Sequence, residues 1–423
     1  MKLTRYLYHL DDVSYSFVTS LLKGDDIKEV LFWTSELYYS GYYDILYNLI
    51  WKVYYDFYAL MNPLLEKKIN RLNNEIIEKF NSISINTYFN NNEIRNKNNN
   101  ESKNNENIKL TIKTTEDETI KNIIFVLYLL FSAECIDYRV FELRFLNPLA
   151  PVSTPLKIEI KNIKWLKKLK SELSKENIKL SKTEELLLIN IHNNNDNNYN
   201  NDNNIKYYLL KLDVYRSYYI LKKYYSIVKN IKLKERHNYL KEILYEDKYH
   251  ILIALICYFE LDENEIVNKR ITIKKYNNDF YNYFCETNNT NNIKPYNVLK
   301  EKRDYSINTN IGCFKINLNK FNNICKLQIL NNYWEYYCNF SPIWKDRFEK
   351  YNCIFQNKNA IFKNDDYLEE FYELYGYEPD EQSNITKFKS VCKIKNNNIQ
   401  EWLNYIFDEE IEFNPNIIKI INY

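Results

Sequence analysis

Glycine constrains this chain most, because only four occur in 423 residues, at positions 24, 41, 312 and 376. Two of them fall where helices should stop. The apolar residues Phe17 and Leu21, then Ile27, Val30, Leu31, Leu37 and Tyr38, recur at helical spacing, and a glycine just past a helix supplies the positive φ that commonly ends it. Asp11 and Asp12 are expected to cap the first helix, and Asp26 with Glu29 has capping-box spacing for the second. A third stripe through Ile45, Leu46, Leu49, Ile50, Val53, Phe57 and Leu60 predicts one helix running up to Asn62 and Pro63, which read as N-cap and N1 of a fourth. Helix ends about 17 residues apart suit antiparallel helices joined by tight turns. No 30- to 45-residue self-similarity continues down the chain, so the pattern does not make a solenoid.

Two Asn-rich tracts, at 81–107 and 193–204, hold too little apolar surface to offset the entropy of ordering them, and they read as linker and loop. Between them, 108–114 alternates as a strand should. Residues 116–145 then read as a helix, 156–160 as a short strand and 165–173 as a helix. Residues 206–230 and 236–261 are helical in pattern. In the last third, 313–318, 325–330 and 360–363 have strand character, the middle one alternatively opening the helix through Trp334. Residues 366–375, ended by Gly376, and 400–406 read as helices.

The expected fold is therefore mainly α, with an amino-terminal antiparallel helical hairpin bundle, a helical middle and a small α/β-mixed carboxy-terminal part. The expected divisions are 1–80, 81–107, 108–192, 193–204, 205–310 and 311–423.

Charge and cysteine usage narrow the chemistry. A formal net charge of +2 lacks the strongly basic balance of a polyanion-binding domain, so any basic surface must be local. The eight cysteines, at 135, 257, 285, 313, 325, 338, 353 and 392, form no CxxC pair and have no histidine at zinc-ligand spacing. They read as reduced, buried thiols of an intracellular protein. The first residues lack a signal-peptide core, and the longest apolar runs, 123–131 and 251–259, fall short of the ~20 residues that span a bilayer, so no membrane partner is expected.

Four constellations merit a chemical reading. Asp366, Glu369, Glu370 and Glu373 stack within two helical turns, where several carboxylates could hold a hard cation; without a calcium-type loop they read as a solvated acidic face or a docking patch for a basic partner. Lys164, Lys167 and Lys168 around Trp165, with Lys222 and Lys223 beside Tyr224, interleave cations and aromatics as single-stranded nucleic-acid grooves do. Solvated lysines and half-buried tyrosines produce the same pattern. Glu159 and Lys161 form half of a nuclease-type E-x-K pair, but Asp137, the candidate upstream acid, falls in an expected helix. His250 and Cys257 lie two turns apart in an apolar helix that would raise the thiol pKa, so they read as core.

The stretch beginning at Asn332, NYWEYYCNFSPIWKDRFEKYN, the following AIFKNDDYLEEFYELYGYEPDEQ, and LFWTSELYYSGYYDILYNLIWKVYYDFYA near the start together resemble uncharacterised helical proteins of nucleocytoplasmic large DNA viruses with AT-rich genomes. The resemblance covers about the first 60 residues and 332–382. It implies origin, with a host cytoplasm or viral-factory location, and no activity. The enrichment in Tyr (41 residues), Asn, Ile and Lys follows AT-rich codons and agrees with it. The amino-terminal part is also similar, in helix lengths and in the rhythm of Asp26, Glu29 and Trp33, to the helical collar of clamp-loader-related ATPases. Four scattered glycines cannot build a phosphate-binding loop, so that likeness implies a helical hairpin alone. The sequence leads to the expectation of a non-enzymatic interaction or assembly protein with a protein partner and no cofactor, the alternative being a nucleic-acid-associated accessory factor.

Overall fold

The computed structural model describes residues 2–59, 62, 65–66, 69, 101–133, 138, 141, 163–193, 214–228, 278–287, 328–329, 331–376, 399–408 and 410, with 101–115 described as backbone only. These residues are mainly helical, with one two-stranded antiparallel sheet. The strand expected at 156–160, the helix at 236–261, the strand at 313–318 and the Asn-rich residues 81–100 and 194–204 lie outside them.

Helix α1 (Leu10–Lys23) starts one residue before the expected capping acids. The chain first doubles back through Leu7, at φ 64°, so that Leu3 bridges His9 and His9 becomes an extended N-cap whose side chain makes no capping bond. Asp11 and Asp12 instead occupy the first turn, buried, where negative charge suits the helix dipole. Gly24 ends α1 in the left-handed conformation.

Helix α2 (Ile27–Tyr39) is capped as expected by Asp26, whose carboxylate accepts from the Lys28 amide at 2.8 Å. Glu29 does not close the capping box. Its Oε1 accepts from the Trp33 indole one turn onward, at 3.3 Å. The helix ends in a Schellman pattern: the Tyr42 amide donates to Leu37 O and the Gly41 amide to Tyr38 O, each at 3.0 Å, with Gly41 at φ 83°.

Helix α3 (Tyr43–Val53) does not continue as α to Leu60. Tyr54–Tyr58 widen into a π turn, closed by the Ala59 amide on Tyr54 O at 2.7 Å. All five residues of that turn are buried, which one 3.6-residue stripe cannot achieve. Trp51 stacks on Tyr55 with ring centroids 5.5 Å apart.

Helix α4 (Glu101–Phe131) corrects three expectations, the first being that residues 101–107, read as the end of the Asn-rich linker, are helical. Residues 108–114 are helical rather than a strand, and the helix stops at Phe131 rather than 145. Seven alternating residues also place Ile108 and Ile112 four apart on one helical face, and no described strand pairs with them. Buried Ile120, Ile123, Ile124 and Leu127 anchor its second half against α1 and α2.

The middle contains α5 (Lys164–Ser174), α6 (Lys182–Asn193), α7 (Val214–Val228) and α8 (Asn278–Glu286). Leu166, Leu169 and Leu173 bury one stripe of α5, and α7 packs on it. Helices α6 and α8 had no individual expectation.

The carboxy-terminal part runs α9 (Trp334–Cys338), α10 (Pro342–Lys350), β1 (Ile354–Gln356), β2 (Asn359–Ile361), α11 (Asp365–Tyr375) and α12 (Ile399–Phe407). Gln328 and Ile329 are helical, in keeping with the alternative reading of that stretch. The hairpin pairs Ile354 with Ile361 and Phe355 with Ala360, around Asn357 and Lys358, both at positive φ as a two-residue I′ turn requires. Asn364 caps α11 by accepting from the Tyr367 amide at 3.0 Å. Gly376 ends α11 at φ −56°, where any side chain would meet Tyr372 O.

Sequence-distant elements close on the amino-terminal helices. The Trp344 indole donates to Thr4 O at 2.9 Å and the Trp402 indole to Thr19 Oγ1 at 2.8 Å. Tyr42 donates to Ser341 Oγ at 2.5 Å, and Ser341 in turn to Leu3 O. No helix of the described residues is long and apolar enough to cross a membrane.

Candidate interaction surfaces

Helix α11 presents the acidic face. Phe371 is fully buried against Phe348, with centroids 4.8 Å apart, and Tyr375 lies beside it; at 100° per residue this turns Asp366, Glu369, Glu370 and Glu373 outward. All four are exposed. Among the described residues, no three His, Cys, Asp or Glu side chains gather as a metal ion would need. Leu368 and Leu374, 41% and 49% exposed, flank the buried stripe on its two sides. The hairpin adds two more apolar side chains. Phe355 turns inward onto Phe348 and Tyr336, so the pleat turns the facing pair Ile354 and Ile361 outward, at 55% and 41% exposure. Sequence reading found the acids from their spacing but not the isoleucines, because only the hairpin register puts residues seven apart on one face.

The expected basic patch is divided. Lys164, Lys167 and Lys168 are exposed on the outer face of α5 and make no ion pair among the described residues. Other lysines nearby are paired with carboxylates: Lys170 meets Glu185 at 2.6 Å, and Lys175 and Lys223 share Glu172 at 2.6 and 3.7 Å. The hydrogen bond from Lys175, with help from Lys223, holds the Glu172 carboxyl below its ordinary pKa. Trp165 is half-buried against His192 and Tyr224, with centroids 4.9 and 5.3 Å away, so its ring serves the packing of α5 on α6 and α7. A base-stacking platform needs an open ring face. The Lys222 side chain, the Glu159/Lys161 pair and the His250/Cys257 pair lie outside the described residues.

Comparison with protein-family models, curated proteins and solved structures returns no match. The chemistry must therefore be argued from this chain's own side chains. Burial drives the thiol of fully buried Cys338 well above its ordinary pKa and pushes half-buried Cys353 up to about 11, so neither is a ready thiolate.

One buried ionic site had no sequence signal. Arg5 and Glu36 are 4% and 0% exposed and pair at 2.9 Å, Nε to Oε2. The Tyr6 amide donates to the other Glu36 oxygen at 3.1 Å, the Arg5 amide donates to Ser40 Oγ at 2.9 Å, and the guanidinium lies over the rings of Tyr6 and Tyr39. The site ties the amino-terminal loop to the last turn of α2. Residues 31 apart carry no spacing rule that would have revealed it.

Proposed function

We propose that the chain is a non-enzymatic interaction or assembly protein that docks a basic protein partner on the face formed by α11 and the β1–β2 hairpin. The observations behind this reading are the exposed Leu368 and Leu374 that flank the outward acids of α11, and the exposed pair Ile354 and Ile361 on the hairpin. Apolar area exposed next to charge of one sign suits a partner with apolar anchors and a cationic rim. The enrichment in residues with AT-rich codons and the resemblance noted above support a source among large DNA viruses, and with it a host cytoplasm or viral-factory location.

The test is co-purification from the native source with immobilised wild-type chain, Ile354→Asp/Ile361→Asp, and Glu369→Lys/Glu373→Lys. A partner held by the wild type and lost with both variant pairs supports the reading. Undiminished recovery with both pairs overturns it.

The alternative, a nucleic-acid-associated accessory factor, draws on unpaired Lys164, Lys167 and Lys168. Phosphate contacts release counterions, so such binding should weaken steeply between about 50 and 200 mM salt and vanish in Lys167→Glu/Lys168→Glu. The expected result is no such binding, because the neighbouring cations are spent on Glu172 and Glu185.

A further inference from the structure

Two arginines in this fold are held against aromatic rings and satisfied differently. Arg5 lies over Tyr6 and Tyr39, and Glu36 cancels its charge. Arg347, on α10, sits in a corner made by Trp344 and Tyr375, whose ring centroids are 6.3 Å apart with planes at 77°. Its Cζ lies 4.5 Å from the first centroid and 4.4 Å from the second. Among the described residues, no hydrogen bond or ion pair reaches its guanidinium.

Among the described residues, no carboxylate touches Arg347, and Glu36 attracts it only at longer range. Glu36 is committed to Arg5 and the Tyr6 amide, and Glu349 leans toward Lys345 at 3.8 Å. Arg5 is close enough to repel it, and the Cys338 thiol is held neutral by burial. The pair Arg5 and Glu36 is neutral, so Arg347 leaves this cluster with one uncompensated positive charge. The residue is half-buried, and burial lowers the guanidinium's pKa. Ring contacts stabilise a cation but use none of its five N–H donors.

We propose that Arg347, braced by Trp344 and Tyr375, is an anion-binding site that takes a phosphate or carboxylate group on its N–H donors. The planar fork matches two oxygens of either group, and the rings fix its orientation so that little freedom is lost on binding. This site does not rest on the docking reading, because it lies on α10 and uses none of the exposed residues of α11 or the hairpin.

The test is isothermal titration of the full chain with sodium phosphate and with sodium acetate at constant ionic strength, with sodium chloride as the control. Wild type and Lys167→Glu/Lys168→Glu should bind one of the two oxyanions alike, and Arg347→Gln should weaken that binding at least about tenfold, or 1.4 kcal/mol. Which salt binds identifies the group. No binding of either by the wild type, or equal binding by Arg347→Gln, overturns the proposal. Should that variant fail to fold, phenylglyoxal labelling of the wild type decides: the bound oxyanion should slow modification of Arg347 selectively, and an unprotected Arg347 overturns the proposal.

Discussion

Removing Glu36 should cost the protein more than any surface substitution. Glu36→Ala strips the buried Arg5 of its counter-charge and orphans the Tyr6 amide at once, since the two carboxylate oxygens serve these two donors at 2.9 and 3.1 Å. Neither side chain reaches solvent freely, at 0% and 4% exposure, so water cannot substitute. Breaking such a pair costs about 3–5 kcal/mol. The rings of Tyr6 and Tyr39 offset part of this for the stranded arginine, by about 0.5–2 kcal/mol, which places the net loss near 3 kcal/mol. Arg5→Met should lose a similar amount by stranding the carboxylate. The double variant Arg5→Met/Glu36→Ala should lose less than the two singles added together, because neither charge is then left alone. Urea unfolding of the four proteins, monitored by far-ultraviolet circular dichroism, reads these differences. Single variants that lose under about 1 kcal/mol, or losses that simply add, would refute the claim that the pair is buried and coupled.

Three further outcomes follow from the packing. Gly41→Ala should destabilise by about 2 kcal/mol or more, because φ is 83° and a Cβ would stand 2.7 Å from Pro342 Cβ; a neutral melting temperature would place α10 elsewhere. Leu37→Ala and Leu49→Ala, at 0% and 2% exposed positions, should each lose about 2–5 kcal/mol in denaturant unfolding, and small effects at both would sink the helical bundle. Burial raises the pKa of Glu335 in the fold, against the hydrogen bond from Tyr372. Its contribution is therefore fully present below the ordinary carboxyl pKa and lost as pH rises through the raised folded value. Stability measured from pH 4 to 8 should fall less with rising pH in Glu335→Gln, and an unchanged profile would show that Glu335 is not desolvated.

The candidate surfaces were legible where they depended on neighbours along one helix. The acids of α11 and the lysines of α5 share faces set by the 3.6-residue repeat, so their spacing alone placed them outward. That Trp165 would be consumed by His192 and Tyr224 could not be read, since the three rings come from three helices. The outward pairing of Ile354 with Ile361 depends on hairpin register, and the corner holding Arg347 on the docking of α11 against α10.

What the sequence by itself determined is local and short in range. Helices α1 and α2 follow from apolar spacing, the Asp26 cap and the glycines at 24 and 41, because each of these acts within one or two turns of backbone. Tertiary structure decided the rest. Residues 108–114 alternate like a strand, but alternation makes a strand only where a partner strand supplies the hydrogen bonds, and here the backbone satisfies itself as helix α4. The aromatic run after Val53 carries more buried rings than an α-helical stripe can hold, so the helix widens into a π turn to seat Tyr54 through Tyr58 in the core. The bond from Trp344 to Thr4, the bond from Trp402 to Thr19 and the Arg5–Glu36 pair join residues that no spacing rule connects. Such contacts form only once burial of the apolar stripes has brought the helices together, and the cost of leaving a buried polar group unpaired then selects its partner.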